Sequence, residues 1–239
     1  MHSQHNPLHS THSSHASRST HAAYPSPQNE EKTSAPANVD FSFSPPVAQA
    51  AKEMGYTTWT PIQAMTIPLI LAGKDVIGQS HTGSGKTAAF GLPIVEKLNP
   101  SGHVQVLILV PTRELCEQVM QEMRKFSKHK RMSITAVYGG ASMGMQIQHL
   151  RRTDVVVGTP GRILDHLARG TFNPNAVRTL VLDEADRMFD MGFVRDVKKI
   201  IQRIPLQRQT MLFSATIDNE VKVIAHEHMK HPEMVKAQS

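Results

Sequence analysis

The sequence predicts a doubly wound α/β domain: a mostly parallel β-sheet with helices on both faces. Short, continuous apolar runs alternate along the chain with longer amphipathic stretches, which is the βαβ pattern of such domains. The apolar runs, of which residues 106–110 are the clearest, suit strands that are covered on both faces. A polar or glycine-rich cluster follows each run, and in a parallel sheet these clusters meet at one edge.

Two helices are expected before the first strand. Ser44-Pro45-Pro46 is typical of a helix entry, Gly55 ends that helix, and Thr60-Pro61 starts the next. Strands are then predicted at 76–79, 104–110, 134–138, 155–158, 180–183 and 210–214. Helices are predicted between and after them at 87–98, 114–129, 143–151, 163–169, 193–203 and 219–229.

Composition divides the chain of 239 residues into two parts. Residues 1–40 are rich in His, Ser, Thr and Pro and poor in large aliphatic residues, so a disordered tail is expected there and one folded domain over 41–239. The six tail histidines could bind a soft metal, but their irregular spacing without cysteine favours a solvated low-complexity segment. The chain carries a net charge of +6, which fits a polyanionic partner without requiring one.

The expected location is the cytoplasm, with the nucleus as an alternative. Cys116 is the one cysteine, so no internal disulfide can form and a reducing compartment is favoured. No apolar run is long enough to span a membrane, and no signal or import segment is visible.

Residues 80–87, Ser-His-Thr-Gly-Ser-Gly-Lys-Thr, are typical of a phosphate-binding loop between a strand and a helix. Lys86 is expected to reach the β- and γ-phosphates, and the Thr87 hydroxyl to bind Mg²⁺. Backbone N–H groups would surround the phosphates where the residues are small, namely at Ser80, Thr82, Gly83, Ser84 and Gly85. Ser80 departs from the glycine of the strict pattern but is small enough for the loop to close. A flexible loop that only caps a helix is the alternative.

Asp183 and Glu184 follow the apolar run 180–182, where a second carboxylate site would share Mg²⁺ with Thr87. Asp183 would hold the metal through water, and Glu184 would position and polarise the attacking water. An acidic cap at a helix N-terminus is the alternative. Beside these carboxylates, Ser214 and Thr216 could hydrogen-bond Asp186 and report the state of the γ-phosphate.

Arg113 and Arg162 each follow a strand within a tight loop that contains proline. Together with the hydroxyls of Thr112 and Thr159 they could hold a nucleic-acid backbone. No aromatic stripe accompanies them, so contacts to phosphates with little sequence preference are expected. An ordinary surface ion pair is the alternative for either arginine.

In combination, these motifs resemble the first RecA-like domain of a DEAD-box ATP-dependent RNA helicase. Seven motifs occur in the order of that family over residues 41–239: Gly55-Tyr56 through Thr60-Pro61-Ile62-Gln63, residues 80–87, Pro111-Thr112-Arg113-Glu114-Leu115, Gly139-Gly140, Thr159-Pro160-Gly161-Arg162, Asp183-Glu184-Ala185-Asp186 and Ser214-Ala215-Thr216.

The resemblance implies roles beyond those that the residues show by themselves. It implies that Gln63 reads the adenine edge, so that the nucleotide is ATP, with Phe41 as the candidate aromatic residue near the base. It also implies that RNA passes Thr112, Arg113, Gly140, Thr159 and Arg162. Ser214 and Thr216 would couple ATP hydrolysis to strand separation.

The family pattern includes a second RecA-like domain that supplies an arginine finger, and residues after His231-Pro232 are expected to begin the linker to it. Such a finger contributes about 10³–10⁵ in rate, so the chain alone, a monomer, is expected to bind ATP weakly and hydrolyse it very slowly. A stand-alone nucleotide- or partner-binding module without unwinding activity is the alternative. An unrelated P-loop ATPase or DNA helicase fits Gln63 and Asp183-Glu184-Ala185-Asp186 less well.

Overall fold

The structure is a computed structural model that describes residues 41–237; the prediction of a disordered tail over 1–40 lies outside this range. The helices are α1 (Pro45–Glu53), α2 (Pro61–Leu71), α3 (Lys86–Lys97), α4 (Arg113–Phe126), α5 (Met143–Leu150), α6 (Pro160–Ala168), α7 (Ala185–Asp190), α8 (Val194–Ile201) and α9 (Asn219–His228). The strands are β1 (Val76–Gln79), β2 (Val106–Leu109), β3 (Ile134–Val137), β4 (Val155–Gly158), β5 (Thr179–Leu182), β6 (Gln209–Ser214) and β7 (Glu233–Lys236).

Seven strands form one sheet in the order β3-β4-β2-β5-β6-β1-β7. Every neighbouring pair is parallel, which confirms the predicted doubly wound α/β fold. Since the strands are parallel, all of their carboxyl ends lie at one edge, and the loops that carry the sequence motifs leave the sheet there.

Strand β2 shows how the sheet separates two apolar cores. Val106 and Ile108 point into a core shared with α1–α4, whereas Leu107 and Leu109 point into the core on the opposite face, shared with α6–α9. Alternate residues of a strand face opposite sides, so a continuous apolar run is what burial on both faces requires. This explains why the strands lack a polar alternation.

Two elements were not predicted, α7 and β7. The chain was expected to begin a linker after His231-Pro232, but residues Glu233–Lys236 instead add a seventh strand beside β1. Among the described residues β7 is an edge strand that pairs only with β1, and three of its four residues are only partly buried, so Glu-Met-Val-Lys needs only two apolar residues. Helix α7 is a six-residue turn directly after Asp183-Glu184, too short to show helical periodicity. No helix within residues 41–237 is long and apolar enough to cross a membrane.

Asp154 joins three separate segments at the amino edge of the sheet. Its side chain is buried, and its oxygens accept hydrogen bonds from the backbone N–H groups of Ser101 (2.7 Å), Gly102 (2.8 Å) and Ser133 (2.9 Å). Bonds to a charged acceptor are individually stronger than neutral ones. The Asp154 carboxylate therefore holds the loop after α3 and the entry to β3 against β4.

Asp154→Ala is expected to lower the free energy of unfolding by about 2–4 kcal/mol, because three partly buried N–H groups lose a charged acceptor. Urea denaturation followed by circular dichroism measures this change. The matched control is Asp190→Ala, which removes an exposed carboxylate and is expected to leave stability nearly unchanged. Equal losses in the two variants would contradict this account.

Candidate active site

The loop between β1 and α3 has the backbone shape that its glycines permit. Gly83 (φ 84°) and Gly85 (φ 89°) both adopt left-handed conformations, which side chains with a Cβ disfavour. At Gly85 a Cβ would also lie 2.4 Å from Nε2 of Gln63. The conformation of position 85 therefore favours glycine, and a side chain there would also have to displace the amide end of Gln63.

The loop makes hydrogen bonds within itself. The hydroxyls of Ser80 and Ser84 lie 2.8 Å apart, and Nζ of Lys86 donates to the backbone oxygen of Ser80 at 3.2 Å. Lys86 is only 7% exposed, so its ammonium group is held inside the loop and not in solvent. The serine at position 80 supplies a hydroxyl that glycine would not have, and that hydroxyl closes the loop.

A cavity of about 610 Å³ lies in front of the loop. Its lining combines loop residues, four acidic residues and an arginine: Thr82, Gly83, Gly85, Lys86, Thr87, Thr112, Glu114, Glu122, Asp183, Glu184 and Arg187. The Thr87 hydroxyl and the Asp183 carboxylate are the hard oxygen donors that suit Mg²⁺. Residues 41–237 contain no group of three or more His, Cys, Asp or Glu side chains that could hold a metal, so a metal here needs oxygens from a ligand or water as well.

Asp183 is buried, and burial raises the pKa of its carboxyl to about 7, while the nearby Lys86 ammonium group acts to lower that pKa. Glu184 is 8% exposed and adopts a left-handed conformation (φ 51°). Its carboxylate contacts Nη1 of Arg187 at 3.2 Å. A non-glycine residue in this conformation carries local strain, and here the strain accompanies an inward-facing glutamate at the cavity wall.

Asp186 connects the ends of β5 and β6. Its backbone N–H donates to Oγ of Ser214 at 3.1 Å, and its Oδ2 accepts from the N–H (2.8 Å) and the hydroxyl (3.0 Å) of Thr216. The hydrogen bonds suggested by the sequence are thus present. They lower the pKa of the Asp186 carboxyl against the opposing effect of burial. The three residues form a direct polar connection from the Asp183-Glu184 segment to the Ser214–Thr216 loop.

Gln63, in the first turn of α2, is hydrogen-bonded to the backbone of the phosphate-binding loop. Its side chain is 1% exposed; Oε1 accepts from the N–H of Thr60 at 2.9 Å, and Nε2 donates to the backbone oxygen of Gly85 at 3.1 Å. The structure therefore places Gln63 against the phosphate-binding loop, and its contact with adenine stays a prediction.

Phe41 belongs to an aromatic cluster. Its ring lies 4.9 Å from that of Trp59 and 5.7 Å from that of Phe43, and Trp59 stacks on Tyr56. Among the described aromatic residues Tyr56, and not Phe41, lines the cavity. The role of Phe41 near a base stays a prediction, and Tyr56 and Trp59 are neighbours that sequence reasoning did not assign.

Arg113 contacts other side chains at the carboxyl end of β3. Its guanidinium lies over the Tyr138 ring, 4.9 Å from the centroid, and its Nε is 3.5 Å from the Glu117 carboxylate. The Tyr138 hydroxyl donates to the same carboxylate. Thr112 caps α4, since its hydroxyl accepts from the N–H of Leu115 at 3.2 Å. Arg113 is more than half exposed, so it can still reach a ligand at this edge.

Arg162 belongs to a second polar network, which joins α5 and α6 to the glycine pair after β3. Its Nη1 donates to the backbone oxygen of Ala141 (3.0 Å) and contacts Oε1 of Gln146 (3.3 Å). Gln146 is buried, binds the backbone oxygen of Tyr138 through Nε2 (2.9 Å), and lies 2.9 Å from Nε2 of the buried His166. Sequence reasoning missed Gln146 and His166, because a polar residue in a helix gives no sign of its burial.

Gly140 and Thr159 complete the same region. Gly140 is exposed with φ 85°, and Thr159 is the residue before α6, with its N–H bonded to the backbone oxygen of Val137. The predicted site residues thus fall into three sets. The first lines the cavity and consists of Thr82, Gly83, Gly85, Lys86, Thr87, Thr112, Asp183 and Glu184. The second lies around the ends of β3 and β4 and consists of Arg113, Gly140, Thr159 and Arg162. The third is outside the cavity lining and consists of Phe41, Gln63, Ser80, Ser84, Asp186, Ser214 and Thr216.

An all-parallel sheet with a Gly-Lys-Thr loop after β1 and an Asp-Glu pair after β5, both lining one cavity, defines a RecA-like P-loop domain. Comparison with known proteins specifies the class. A family profile described as DEAD/DEAH box helicase matches residues 60–224. The chain belongs to the DEAD/DEAH box helicase family.

Curated relatives and solved structures agree with this assignment. The chain is 50% identical over 202 residues to the DEAD-box ATP-dependent RNA helicase CshA of Bacillus licheniformis, a match covering 84% of this chain and 42% of that protein. It is 48% identical over 199 residues to the ATP-dependent RNA helicase CshA of Listeria monocytogenes, covering 82% and 38%. The crystal structure of a DEAD box protein from Methanococcus jannaschii matches with a TM-score of 0.82 and 40% identity, covering 83% of this chain and 55% of that one. The chain thus spans about two fifths of the length of these curated relatives.

Proposed function

We propose that this chain is the ATP-binding part of an ATP-dependent RNA helicase, which binds ATP and RNA and separates RNA strands or remodels RNA–protein complexes. The observation that carries the proposal is the placement of the Gly-Lys-Thr loop, Asp183-Glu184 and the Asp186–Thr216 connection at one edge of the sheet. A domain that only bound nucleotide would not need the connection from the carboxylates to a neighbouring strand.

In this proposal the nucleotide phosphates occupy the loop, with Lys86 contributing positive charge to the β- and γ-phosphates. Thr87 and Asp183 would hold Mg²⁺, which neutralises phosphate charge when bound. Glu184 orients the attacking water and draws its proton, a role supported by its place in the lining of the same cavity as Lys86. Gln63 selects adenine, and Phe41 contributes near the base.

RNA would lie across Thr112, Arg113, Gly140, Thr159 and Arg162, with contacts to the backbone. Asp186, Ser214 and Thr216 would transmit the state of the γ-phosphate to that surface. We propose a second RecA-like domain, in cis or in trans, as the other wall of the cavity, and action as a monomer in the cytoplasm, with the nucleus as an alternative. The single cysteine, buried Cys116, supports a reducing compartment.

The chain alone is expected to hydrolyse ATP very slowly, whether or not RNA is present. A fusion of this chain to the part of the Bacillus licheniformis relative that it does not cover is expected to turn over faster by about 10³–10⁵ when RNA is added, the contribution of an arginine finger. Phosphate release measures both, with single-stranded DNA as the control nucleic acid, because the 2′-hydroxyl distinguishes RNA. Rapid turnover by the chain alone, or equal stimulation by DNA, would contradict the proposal.

A further inference from the structure

A basic groove lies beside β3 at the amino edge of the sheet, opposite the edge that carries the candidate active site. It has a volume of about 520 Å³ and lies where the ends of α4 and α5 meet the start of β3. Its polar lining includes Arg124, Ser133, Thr135, His149, Arg151 and Arg152, and no acidic residue lines it. None of these residues belongs to the site described above.

Within residues 41–237, the arginines of the groove form no ion pairs. Nη2 of Arg124 is fixed by a hydrogen bond to the backbone oxygen of Ile134 at 3.0 Å. Arg151 and Arg152 are exposed, and within residues 41–237 neither guanidinium has a carboxylate within salt-bridge distance. Asp154, the nearest acidic residue in sequence, is buried and bound by three backbone N–H groups. Three guanidinium groups therefore line one groove, and among the described residues none of them forms an ion pair with a carboxylate.

The groove is connected to the proposed RNA surface by two short elements. Strand β3 has four residues and spans about 13 Å, from the groove to the Gly139-Gly140 pair. Helix α5 has eight residues and covers about 12 Å, from the loop after Gly140 to Arg151. A nucleic-acid strand that leaves the carboxyl edge at Gly140 needs to follow the free edge of β3 by only this distance to reach Arg151 and Arg152.

We propose that this groove binds backbone phosphates of the same RNA strand, beyond the segment held at the carboxyl edge. The inference rests on the proposed function, which supplies the RNA. Arginine suits the task because its guanidinium makes paired hydrogen bonds to phosphate oxygens. The hydroxyl of Ser133 and the amide of Gln148 are additional donors in the groove. Contacts of this kind add affinity and salt dependence without sequence preference.

The test compares the full chain with the double variant Arg151→Gln/Arg152→Gln, and with the matched control Arg195→Gln/Lys199→Gln. The control removes two exposed cations from α8, so both variants lose the same charge. Fluorescence anisotropy measures RNA affinity as a function of salt concentration, for one RNA of about 6 nucleotides and one of about 20. Thermal melts verify that each variant folds.

For the longer RNA, the groove variant is expected to lower the slope of log affinity against log salt by about 1.4, since each phosphate contact on a single strand contributes about 0.7. Its loss of affinity between 50 and 200 mM salt would then be about sevenfold smaller than that of the unaltered chain. The short RNA and the control variant are expected to show nearly unchanged slopes.

Two outcomes would overturn the groove proposal alone: an unchanged slope for the longer RNA, or an equal change in the control variant. An equal change with the short RNA would also overturn it, because the arginines would then act as a general field and not as contacts along an extended strand. If the unaltered chain bound neither RNA, the proposed function would fail as well. The two failures are therefore distinguished by the behaviour of the unaltered chain.

Discussion

Replacing Lys86 with alanine is expected to weaken the binding of Mg·ATP to this chain by about 10–100-fold, the effect of losing one or two charge-assisted hydrogen bonds to phosphate. The ammonium group already lies within the loop, 3.2 Å from the backbone oxygen of Ser80, so little rearrangement separates it from a bound phosphate. Its removal also leaves the buried Asp183 carboxyl without the positive charge that lowers its pKa. Isothermal titration calorimetry measures the change.

The control for this prediction is Lys97→Ala, at the other end of the same helix. Nζ of Lys97 donates to the backbone oxygen of Ile70 (3.2 Å) and to Oε1 of Gln209 (3.1 Å) at the amino edge of the sheet. Lys97→Ala removes an ammonium group from α3 but none from the cavity, so ATP affinity is expected to stay the same. If both variants lost affinity equally, Lys86 would have no special role at the phosphates.

Glu184→Gln is expected to lower kcat for ATP hydrolysis by about 10²–10⁴, the contribution of a positioned general base, while ATP binding stays nearly unchanged. Glutamine keeps the shape of the side chain and can hold the left-handed backbone at φ 51° at a similar cost, but it cannot accept the proton of the attacking water. The rate is measured with RNA on the fusion to the remainder of the Bacillus licheniformis relative, and the affinity on the chain alone.

The effect of Glu184→Gln on ATP affinity distinguishes a role of Glu184 in hydrolysis from a role in ATP binding. Asp190→Asn removes one negative charge from the exposed end of α7 and serves as the matched control, with no expected change in rate. A Glu184→Gln variant that bound ATP as poorly as Lys86→Ala would show that Glu184 acts in binding and not in hydrolysis. A variant with full activity would exclude it as the base.

The sequence predicted the central strands, because burial on both faces of the sheet favours apolar residues along a strand. Strands β1 and β4 begin and end where predicted. Strand β4 is a short apolar run buried on both faces. Strand β1, Val-Ile-Gly-Gln, has only two apolar residues and was located by the phosphate-binding loop that follows it. Strand β2 is shorter than predicted, since Val104 and Val110 are buried beyond its ends without belonging to it. Burial accounts for the apolar run in the sequence, whereas hydrogen bonding to the neighbouring strands determines where the strand begins and ends.

Contacts between distant segments gave no signal in the sequence. Strand β7 was missed because its four residues are stabilised by pairing with β1 and not by their own pattern. Gln146 and His166 were missed because their burial depends on two helices that meet only in the fold. Motif residues were found instead, since the chemistry of a phosphate loop or a carboxylate pair restricts residue types at fixed spacing, independently of what lies around them.

The hydrogen bonds within the phosphate-binding loop have a thermodynamic consequence. Because Lys86 is bonded to Ser80, and Ser80 to Ser84, an incoming triphosphate exchanges existing bonds for new ones and does not simply add to them. The net enthalpy of binding is then smaller than the number of final contacts suggests. The apparent affinity is also multiplied by the fraction of molecules whose loop is open, because the apparent Kd equals the intrinsic Kd divided by that fraction. A substitution that removes the Ser80 hydroxyl would raise the fraction of open loops. Ser80, the residue that departs from the strict loop pattern, therefore influences the equilibrium between the loop with its internal hydrogen bonds and the loop that is open to the phosphates.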